Sequence, residues 1–229
     1  FDQRLAKRVL DLVVSIIALV ITSPVMLVIA IAIKAYDGGP VFFVQDRCTI
    51  NGKVFKIHKF RSMIENAEKD GEVIPATDDD ARITPVGKII RKTRLDELPQ
   101  FFDILIGNMS VVGPRPERVE HVEKYVEEVP EFTYRMKVKG GLTGYAQIYG
   151  KYNTVPYDKL KLDLFYIENY SLWMDLKLIL MTVKTVLKKD STEGVDTNQT
   201  TGLKEHTEGN EEVERKIQEY TSREESHHE

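Results

Sequence analysis

The chain has 229 residues and a formal net charge of −4, which allows one sizeable domain and a tail. The charge is unevenly placed: from Asp190 onward there are 12 acidic and 4 basic residues, which leaves 24 acidic and 28 basic residues before it. A basic body suits an anionic membrane surface or a phosphate-bearing substrate, and no nucleic-acid-binding motif is present. The single cysteine, Cys48, excludes an internal disulfide, zinc-finger spacing and cysteine-ligated iron–sulfur clusters, and it fits a reducing compartment.

Residues 12–33 form an apolar run without a charged residue, long enough for a membrane helix. Thr22, Ser23 and Pro24 lie near its middle, and proline removes a backbone donor that hydroxyl groups can replace. Basic residues flank both ends of the run. We therefore predict two half-helices broken at Ser23-Pro24 that enter and leave the same membrane face. A single straight span with a mild kink is the alternative, and the length of the run and the missing cleavage site argue against a cleaved signal.

A β-hairpin is predicted next, from residues 41–44 to residues 54–61, because Asn51-Gly52 is a strong hairpin signal. Alternation places Lys59 and Arg61 on the same side of the second strand as two apolar residues. These cations either serve a substrate or simply emerge into solvent. Residues 65–82 are predicted to be a mobile loop, and its three adjacent aspartates are better explained by a solvated turn than by a cation site.

Thr84-Pro85 predicts a helix start, with a capping residue before a proline. The mixture of apolar and basic residues that follows, ending at Arg94, fits a helix at lipid headgroups or an ordinary surface helix. Asp96 and Glu97 precede Pro99, so they should lie at the start of the next helix. Capping is a sufficient explanation for such acids, and catalysis is the alternative.

Arg115 lies between two prolines, which hold it on a stiff backbone where its guanidinium can bind a phosphate or a carboxylate. Residues 137–147 are glycine-rich and either approach a ligand or serve as a connector. Helices are predicted at residues 118–129, 158–170 and 172–187. The apolar stripe of the last helix suits a membrane interface or core packing equally well. The tail from residue 190 is predicted to be disordered, with a marginal helix near residues 211–220, and His227-His228 is too short for a metal site.

Several short motifs, in this order, resemble the monotopic phosphoglycosyl transferases, which are bacterial sugar transferases acting on a polyprenol carrier. The resemblance covers residues 1 to about 189. The matching segments are Ser23-Pro24, Lys59-Phe60-Arg61-Ser62-Met63, Leu95-Asp96-Glu97-Leu98-Pro99-Gln100, the run from Met109 to Pro116, and Gly141-Leu142-Thr143-Gly144.

The resemblance implies transfer of a sugar phosphate from a UDP-sugar to polyprenol (undecaprenyl) phosphate, with release of UMP, as the first step of exopolysaccharide, capsule or glycoconjugate assembly. It implies that Asp96 is the nucleophile and that Glu97 is its partner near Mg²⁺. The implied substrate-binding cations are Lys59, Arg61, Arg94, Arg115 and Lys151. The chain departs from the family pattern at Gly140, Tyr145 and Lys151, which puts nucleotide contacts of that loop in doubt.

The expected architecture is α+β, mostly helical with a short β-hairpin, in a monotopic membrane protein with interfacial helices. We expect a re-entrant helix over residues 1–36, a cytoplasmic catalytic domain over residues 37–189 and an acidic tail over residues 190–229. The expected partners are UDP-sugar, polyprenol phosphate and membrane lipid at the cytoplasmic face of the bacterial inner membrane, and a homodimer is left open. Two other functions remain: a membrane-bound, metal-dependent hydrolase of nucleotide diphosphates and a non-catalytic scaffold that binds anionic lipid.

Overall fold

The computed structural model describes residues 3–65, 67, 80–150 and 156–187. The described residues therefore leave out most of the predicted loop at 65–82, Lys151 and the tail from residue 190. They also leave out Asp78, Asp79, His227 and His228. The described part is mostly helical and contains two small sheets. Its helices and strands are α1 (Gln3–Asp37), β1 (Phe42–Cys48), β2 (Val54–Phe60), α2 (Pro85–Lys92), α3 (Gln100–Leu105), β3 (Ser110–Val112), α4 (Val119–Glu128), β4 (Gly141–Thr143), α5 (Tyr145–Tyr149), α6 (Pro156–Asn169) and α7 (Leu172–Leu187).

Helix α1 is a 35-residue element with Pro24 inside it, so the two predicted half-helices are joined in one helix. Pro24 has no N–H to donate to the carbonyl four residues earlier. The Ser23 hydroxyl donates to that carbonyl, Val20 O, at 2.9 Å, and the Thr22 hydroxyl donates to Ala18 O at 2.8 Å. The predicted replacement of the missing backbone donor is thus confirmed, and it explains how the helix continues through a proline.

The apolar part of α1 is long and apolar enough to cross a membrane, judged by its length and composition. A helix in the core of a soluble protein can satisfy the same test, but such a helix is mostly buried. Only 11% of this apolar window is buried, and Val20 and Ile21 are 69% and 70% exposed. The exposure agrees with a helix whose middle faces lipid.

Strands β1 and β2 form the predicted antiparallel hairpin, with Phe42 opposite Phe60 and Cys48 opposite Val54. The turn contains Asn51 and Gly52 at φ angles of 57° and 71°, the positive values that these two residue types tolerate best. Strand β1 is longer than predicted and extends to Cys48. The hairpin is confirmed, and it places Lys59 near the end of β2.

A second, parallel pair, β3 and β4, was not predicted. Its glycines allow backbone segments to approach each other: a side-chain carbon on Gly141 would lie 2.1 Å from Gly113 N, and one on Gly144 would lie 2.2 Å from Gly113 O. Any side chain at these positions would therefore collide with backbone. Close packing within the chain was neither of the two predicted roles of the glycine-rich segment, and the approach of a ligand stays a prediction.

Helix α1 is attached to the rest of the protein at both ends. Near its start, Asp11 accepts hydrogen bonds from Ser110 Oγ and Val111 N, each at 2.9 Å, and the Lys7 ammonium pairs with the buried Asp175 at 2.6 Å. At its end, Asp37 pairs with the guanidinium of Arg61, which also donates to Pro40 O at 2.6 Å. Both ends of the apolar helix are therefore held by one folded body.

Helix α7 places its predicted apolar stripe outward. Trp173, Leu180 and Val183 are 75%, 63% and 53% exposed, whereas Leu178 and Asp175 are buried. Core packing therefore does not explain these three residues, although Ile179 of the same stripe packs against the core. The interfacial placement of the helix stays a prediction. The helices predicted at 118–129, 158–170 and 172–187 are present with small differences in their bounds.

The predicted capping of α2 is confirmed, because Thr84 Oγ1 accepts a hydrogen bond from Gly87 N at 2.9 Å. We predict that Thr84→Ala lowers the free energy of unfolding by about 1 kcal/mol, since an N–H in the first turn loses its acceptor. Thr84→Ser, which keeps the hydroxyl, should retain most of that stability. Denaturant unfolding of the detergent-solubilised protein checks both values, and equal losses in the two variants would contradict a role for the cap.

Candidate active site

Asp96 and Glu97 lie in a short 3₁₀ turn, Leu95–Glu97, between α2 and α3. The preceding Arg94 has left-handed backbone angles, with φ of 54°, and its side chain is exposed. Helix α3 begins at Gln100, and its first turn receives no side-chain cap. The acids therefore precede the helix instead of opening it, and capping does not account for them.

The Glu97 carboxylate is held by two cations from distant parts of the chain. Its Oε1 atom accepts a hydrogen bond from Lys59 Nζ at 2.9 Å and another from Arg115 Nη2 at 2.6 Å. Burial alone would raise the pKa of Glu97, but the positive charges of Arg115 and Lys59 outweigh it and hold the pKa far below its ordinary value. Glu97 is therefore a permanent anion in this site.

The same cluster shifts the pKa values of its two cations. The charge of Glu97 raises the pKa of Arg115, whereas burial lowers the pKa of Lys59 in spite of its contact with Glu97. Both cations are only partly exposed, at 28% and 18% of their side-chain surface. The two side chains form a partly desolvated, positively charged surface, which is the environment that phosphate oxygens favour.

Asp96 differs from Glu97 in having no direct partner. Among the described residues, none donates a hydrogen bond to its carboxylate or forms an ion pair with it. Burial raises the pKa of Asp96, and the charge of Glu97 acts in the same direction, whereas the charges of Lys59, Arg91 and Arg115 oppose them. A partly buried carboxylate without hydrogen bonds is available for bonding to a metal ion or a phosphorus atom.

A second ion-pair cluster supports the backbone of Arg115. The buried Arg135 donates from Nη2 to Arg115 O at 2.9 Å and pairs with Asp163 at 2.7 Å. Glu117 lies 3.6 Å from Arg135 and also pairs with Lys159. These residues were not predicted as a cluster, since they lie on separate elements and share no local motif.

His58 and Asp103 join β2 to α3. The buried Asp103 carboxylate accepts a hydrogen bond from His58 N at 2.9 Å, and its other oxygen lies 2.7 Å from His58 Nδ1. His58 precedes Lys59, and α3 follows the turn that carries Glu97. The contact therefore helps fix Lys59 opposite Glu97, and sequence spacing alone gave no sign of it.

The structure brings together four of the predicted site residues: Lys59, Asp96, Glu97 and Arg115. It places Arg61 elsewhere, because its guanidinium is buried against Asp37 and Pro40. A substrate role for Arg61, Arg94 or Lys151 stays a prediction. The observed role of Arg61 is to attach the end of α1.

No group of three or more histidine, cysteine or acidic side chains able to hold a metal occurs in the described ranges. Mg²⁺ needs fewer protein ligands, since one or two carboxylates and substrate phosphates often suffice. The Asp96 carboxylate is without a hydrogen bond, and Glu97 binds both cations through Oε1, which leaves Oε2 for another bond. The donor set therefore fits the predicted ion.

An acidic pair held among cations, beside a long exposed apolar helix, is the arrangement expected of an enzyme that handles phosphate groups at a membrane. Comparison with known proteins identifies the class further. The sequence model of the family described as "Bacterial sugar transferase" matches residues 2–189. The chain belongs to this family, as the motifs predicted.

Several relatives are more than 35% identical to this chain. A UDP-N-acetylgalactosamine-undecaprenyl-phosphate N-acetylgalactosaminephosphotransferase of Aeromonas hydrophila is 44% identical over 79% of this chain and 43% of its own length. A UDP-glucose:undecaprenyl-phosphate glucose-1-phosphate transferase of Klebsiella pneumoniae is 49% identical over 77% of this chain and 39% of its own length. The uncharacterized sugar transferase EpsL of Bacillus subtilis is 39% identical over 79% of this chain and 87% of its own length. The chain thus spans about two fifths of the first two relatives and most of the third.

Glu117 allows a pH test of the cluster behind Arg115. Burial would raise its pKa, but Lys159 and Arg135 lower it from 4.5 to about 2. Because the folded-state pKa lies below the unfolded value, the pairing stabilises the fold above pH 4.5 and is lost as the pH falls toward 2. We predict that Glu117→Gln lowers the free energy of unfolding by about 3 kcal/mol at neutral pH, and that this difference shrinks below pH 4.5.

Urea unfolding at a series of pH values measures that difference. Glu120→Gln is the matched control, since Glu120 is exposed, and it should change the stability by no more than about 0.5 kcal/mol. A difference between wild type and Glu117→Gln that is independent of pH would show that the carboxylate charge is not what stabilises the cluster.

Proposed function

We propose that this protein transfers a sugar 1-phosphate from a UDP-sugar to polyprenol (undecaprenyl) phosphate and releases UMP. The observation that carries the proposal is Asp96, a carboxylate without a hydrogen bond beside Glu97, Lys59 and Arg115. Relatives named as undecaprenyl-phosphate sugar phosphotransferases support the reaction class. Their names differ in the sugar, and no described contact selects one.

The chemistry we propose has two displacements at one phosphorus. A carboxylate oxygen of Asp96 attacks the sugar-bearing phosphorus of the UDP-sugar, and the bond from that phosphorus to the bridging oxygen breaks as UMP leaves. A phosphate oxygen of polyprenol phosphate then attacks the same phosphorus. The bond to Asp96 breaks, the carboxylate is regenerated, and the product is a polyprenyl diphosphate sugar.

The neighbouring side chains have separate tasks in this scheme. Lys59 and Arg115 hold the phosphate oxygens in the partly desolvated site and stabilise the charge that builds up on them. Glu97 keeps both cations in place. Asp96 and Glu97 would hold Mg²⁺, which when bound neutralises charge on the departing UMP.

We propose that α1 enters and leaves the cytoplasmic leaflet without crossing the membrane. Its first turns bind Ser110 and Asp175, and its last residue binds Arg61, all within the same folded body. If α1 crossed the bilayer, its two ends would lie on opposite sides of the membrane. The folded body that binds both ends would then have to place charged groups in the hydrocarbon core, at a cost of roughly several kcal/mol each. The two attachments therefore favour re-entry over a straight span.

An apolar cleft offers a place for the isoprenoid chain of the acceptor. It has a volume of about 470 Å³ and lies between α1, the hairpin and α3. Because it opens beside the exposed part of α1, a lipid chain can enter it from the bilayer. The lining residues are Leu19, Val20, Ser23, Met26, Leu27, Ala30, Phe42, Phe60 and Phe102.

The nucleophile is tested by Asp96→Asn, for which we predict a loss of at least about a thousandfold in UMP release, since an amide cannot attack phosphorus in this way. The assay uses a panel of UDP-sugars with polyprenol phosphate and Mg²⁺. Intact-protein mass spectrometry without polyprenol phosphate should find a sugar-phosphate adduct on the wild type and none on the variant.

Asp46→Asn is the matched control for this experiment, because Asp46 is an exposed aspartate on the hairpin, and it should retain wild-type turnover. Full activity of Asp96→Asn would overturn the assignment. Equal consumption of UDP-sugar with and without polyprenol phosphate would instead identify a hydrolase.

The membrane placement is tested by single cysteines at exposed positions near the two ends of α1, Gln3→Cys and Tyr36→Cys, in a Cys48→Ala background. We predict that a membrane-impermeant maleimide labels both from the cytoplasmic side and neither from the other side. Val20→Cys should be protected from both sides by lipid. Labelling of the two ends from opposite sides would mean that α1 crosses the bilayer.

A further inference from the structure

Two cations meet at the end of α3 that is remote from the acidic pair. Gly107 follows this helix with φ of 90°, and a side-chain carbon on it would lie 3.6 Å from Arg8 Nη2 and 3.7 Å from Lys139 Nζ. The two charged groups thus flank the same small space, which the glycine leaves open. Helix α3 is about 9 Å long, so this space is distinct from the Asp96–Glu97 turn.

In the part of the chain that the structure describes, neither charge has a carboxylate partner. Arg8 donates to two backbone carbonyls, Ile104 O at 2.7 Å and Leu105 O at 2.6 Å. Within the described ranges, Lys139 has neither a hydrogen bond nor an ion pair. Burial lowers the pKa of Lys139, the charges of Arg8 and Lys53 act in the same direction, and Asp11 opposes them. Like charges brought together in a partly buried place make a site for an anion.

The position of this site favours a lipid as the source of the anion. Arg8 lies one helical turn before the charge-free run of α1, and Ile106, next to Gly107, is 68% exposed. An anion bound at Gly107 would therefore have charged groups on one side and exposed apolar surface on the other. A phospholipid has this polarity, with its phosphate at the headgroup level and its acyl chains below.

We propose that Arg8 and Lys139, on either side of Gly107, bind the phosphate of an anionic membrane phospholipid. The proposal rests on the membrane placement proposed above. It adds a lipid site separate from the one that receives the acceptor, and this site would fix the depth of the N-terminal end of α1 and of α3. The acidic turn at the other end of α3 would be held at a matching depth.

Lys139→Gln tests the site with the full-length chain. Native mass spectrometry in detergent micelles, titrated with phosphatidylglycerol or phosphatidylcholine, gives the affinity for each lipid. We expect Lys139→Gln to weaken phosphatidylglycerol binding about tenfold, because a charge-assisted hydrogen bond is lost. The effect on phosphatidylcholine should be smaller, because its choline cation offsets the charge of the phosphate. Lys139→Arg keeps the charge and should bind like the wild type. A circular dichroism spectrum of Lys139→Gln that matches the wild type excludes misfolding as the cause.

Lys137→Gln is the matched control, since Lys137 is exposed and its ammonium lies over the Tyr134 ring at 4.6 Å. It removes the same charge two residues away and should leave phosphatidylglycerol binding within about twofold of wild type. Equal weakening by Lys137→Gln and Lys139→Gln, or no weakening by either, would overturn the proposal. Inorganic phosphate that displaces phosphatidylglycerol at equal affinity would also overturn it, because the site would then bind free phosphate.

Vesicle flotation separates this proposal from the membrane placement on which it rests. Wild type that fails to float with neutral vesicles would contradict the insertion of α1. Wild type that floats, together with a Lys139→Gln variant of unchanged phosphatidylglycerol affinity, would contradict the lipid site alone.

Discussion

The contact of Glu97 with Lys59 and Arg115 is the interaction on which the site depends. It joins residues separated by 38 and 18 positions in the chain, from strand β2, the 3₁₀ turn and the segment after β3. Three partly buried charges are tolerable together, whereas removal of one would leave the others uncompensated in a poorly solvated place. Because both cations donate their hydrogen bonds to Glu97, the neighbouring Asp96 is the carboxylate left without a hydrogen bond.

Hydrogen bonds and close backbone packing hold the three charged residues of this cluster in position. Arg135 holds the carbonyl of Arg115, and His58 with Asp103 holds β2 against α3. The glycines of β4 let its backbone pack directly on Gly113, which fixes the strand that leads to Arg115. The proposed phosphate-binding role needs this rigidity, since cations held in advance by the fold need little reorganisation when a ligand binds.

The apolar helix is attached to the same folded body that carries the site. Polar contacts attach α1 near its beginning through Asp11 and at its end through Asp37, while its middle stays exposed. The depth of the helix in lipid would therefore set the depth of the acidic turn. The proposed reaction joins a soluble nucleotide sugar to a lipid acceptor, and it requires a site at the surface where the two can meet.

Much of this protein follows from local patterns in its sequence. The apolar run, the hairpin at Asn51-Gly52, the cap at Thr84 and the long helices were predicted because each depends on neighbouring residues. The motifs also identified the family and singled out Asp96, Glu97, Lys59 and Arg115. The sequence left open whether α1 breaks at Pro24 or continues through it, because continuity depends on the Ser23 hydroxyl reaching one particular carbonyl.

The tertiary structure decided what depends on contacts between distant residues. Alternation predicted Arg61 and Lys59 on one strand face, but Arg61 follows the end of β2 and pairs with the end of α1, whereas Lys59 pairs with Glu97. The parallel pair of β3 and β4, the ion pairs of Arg135 and the space at Gly107 likewise join segments far apart in the chain. Sequence spacing fixes which way a side chain points along one element, but its partner is set by how the elements pack.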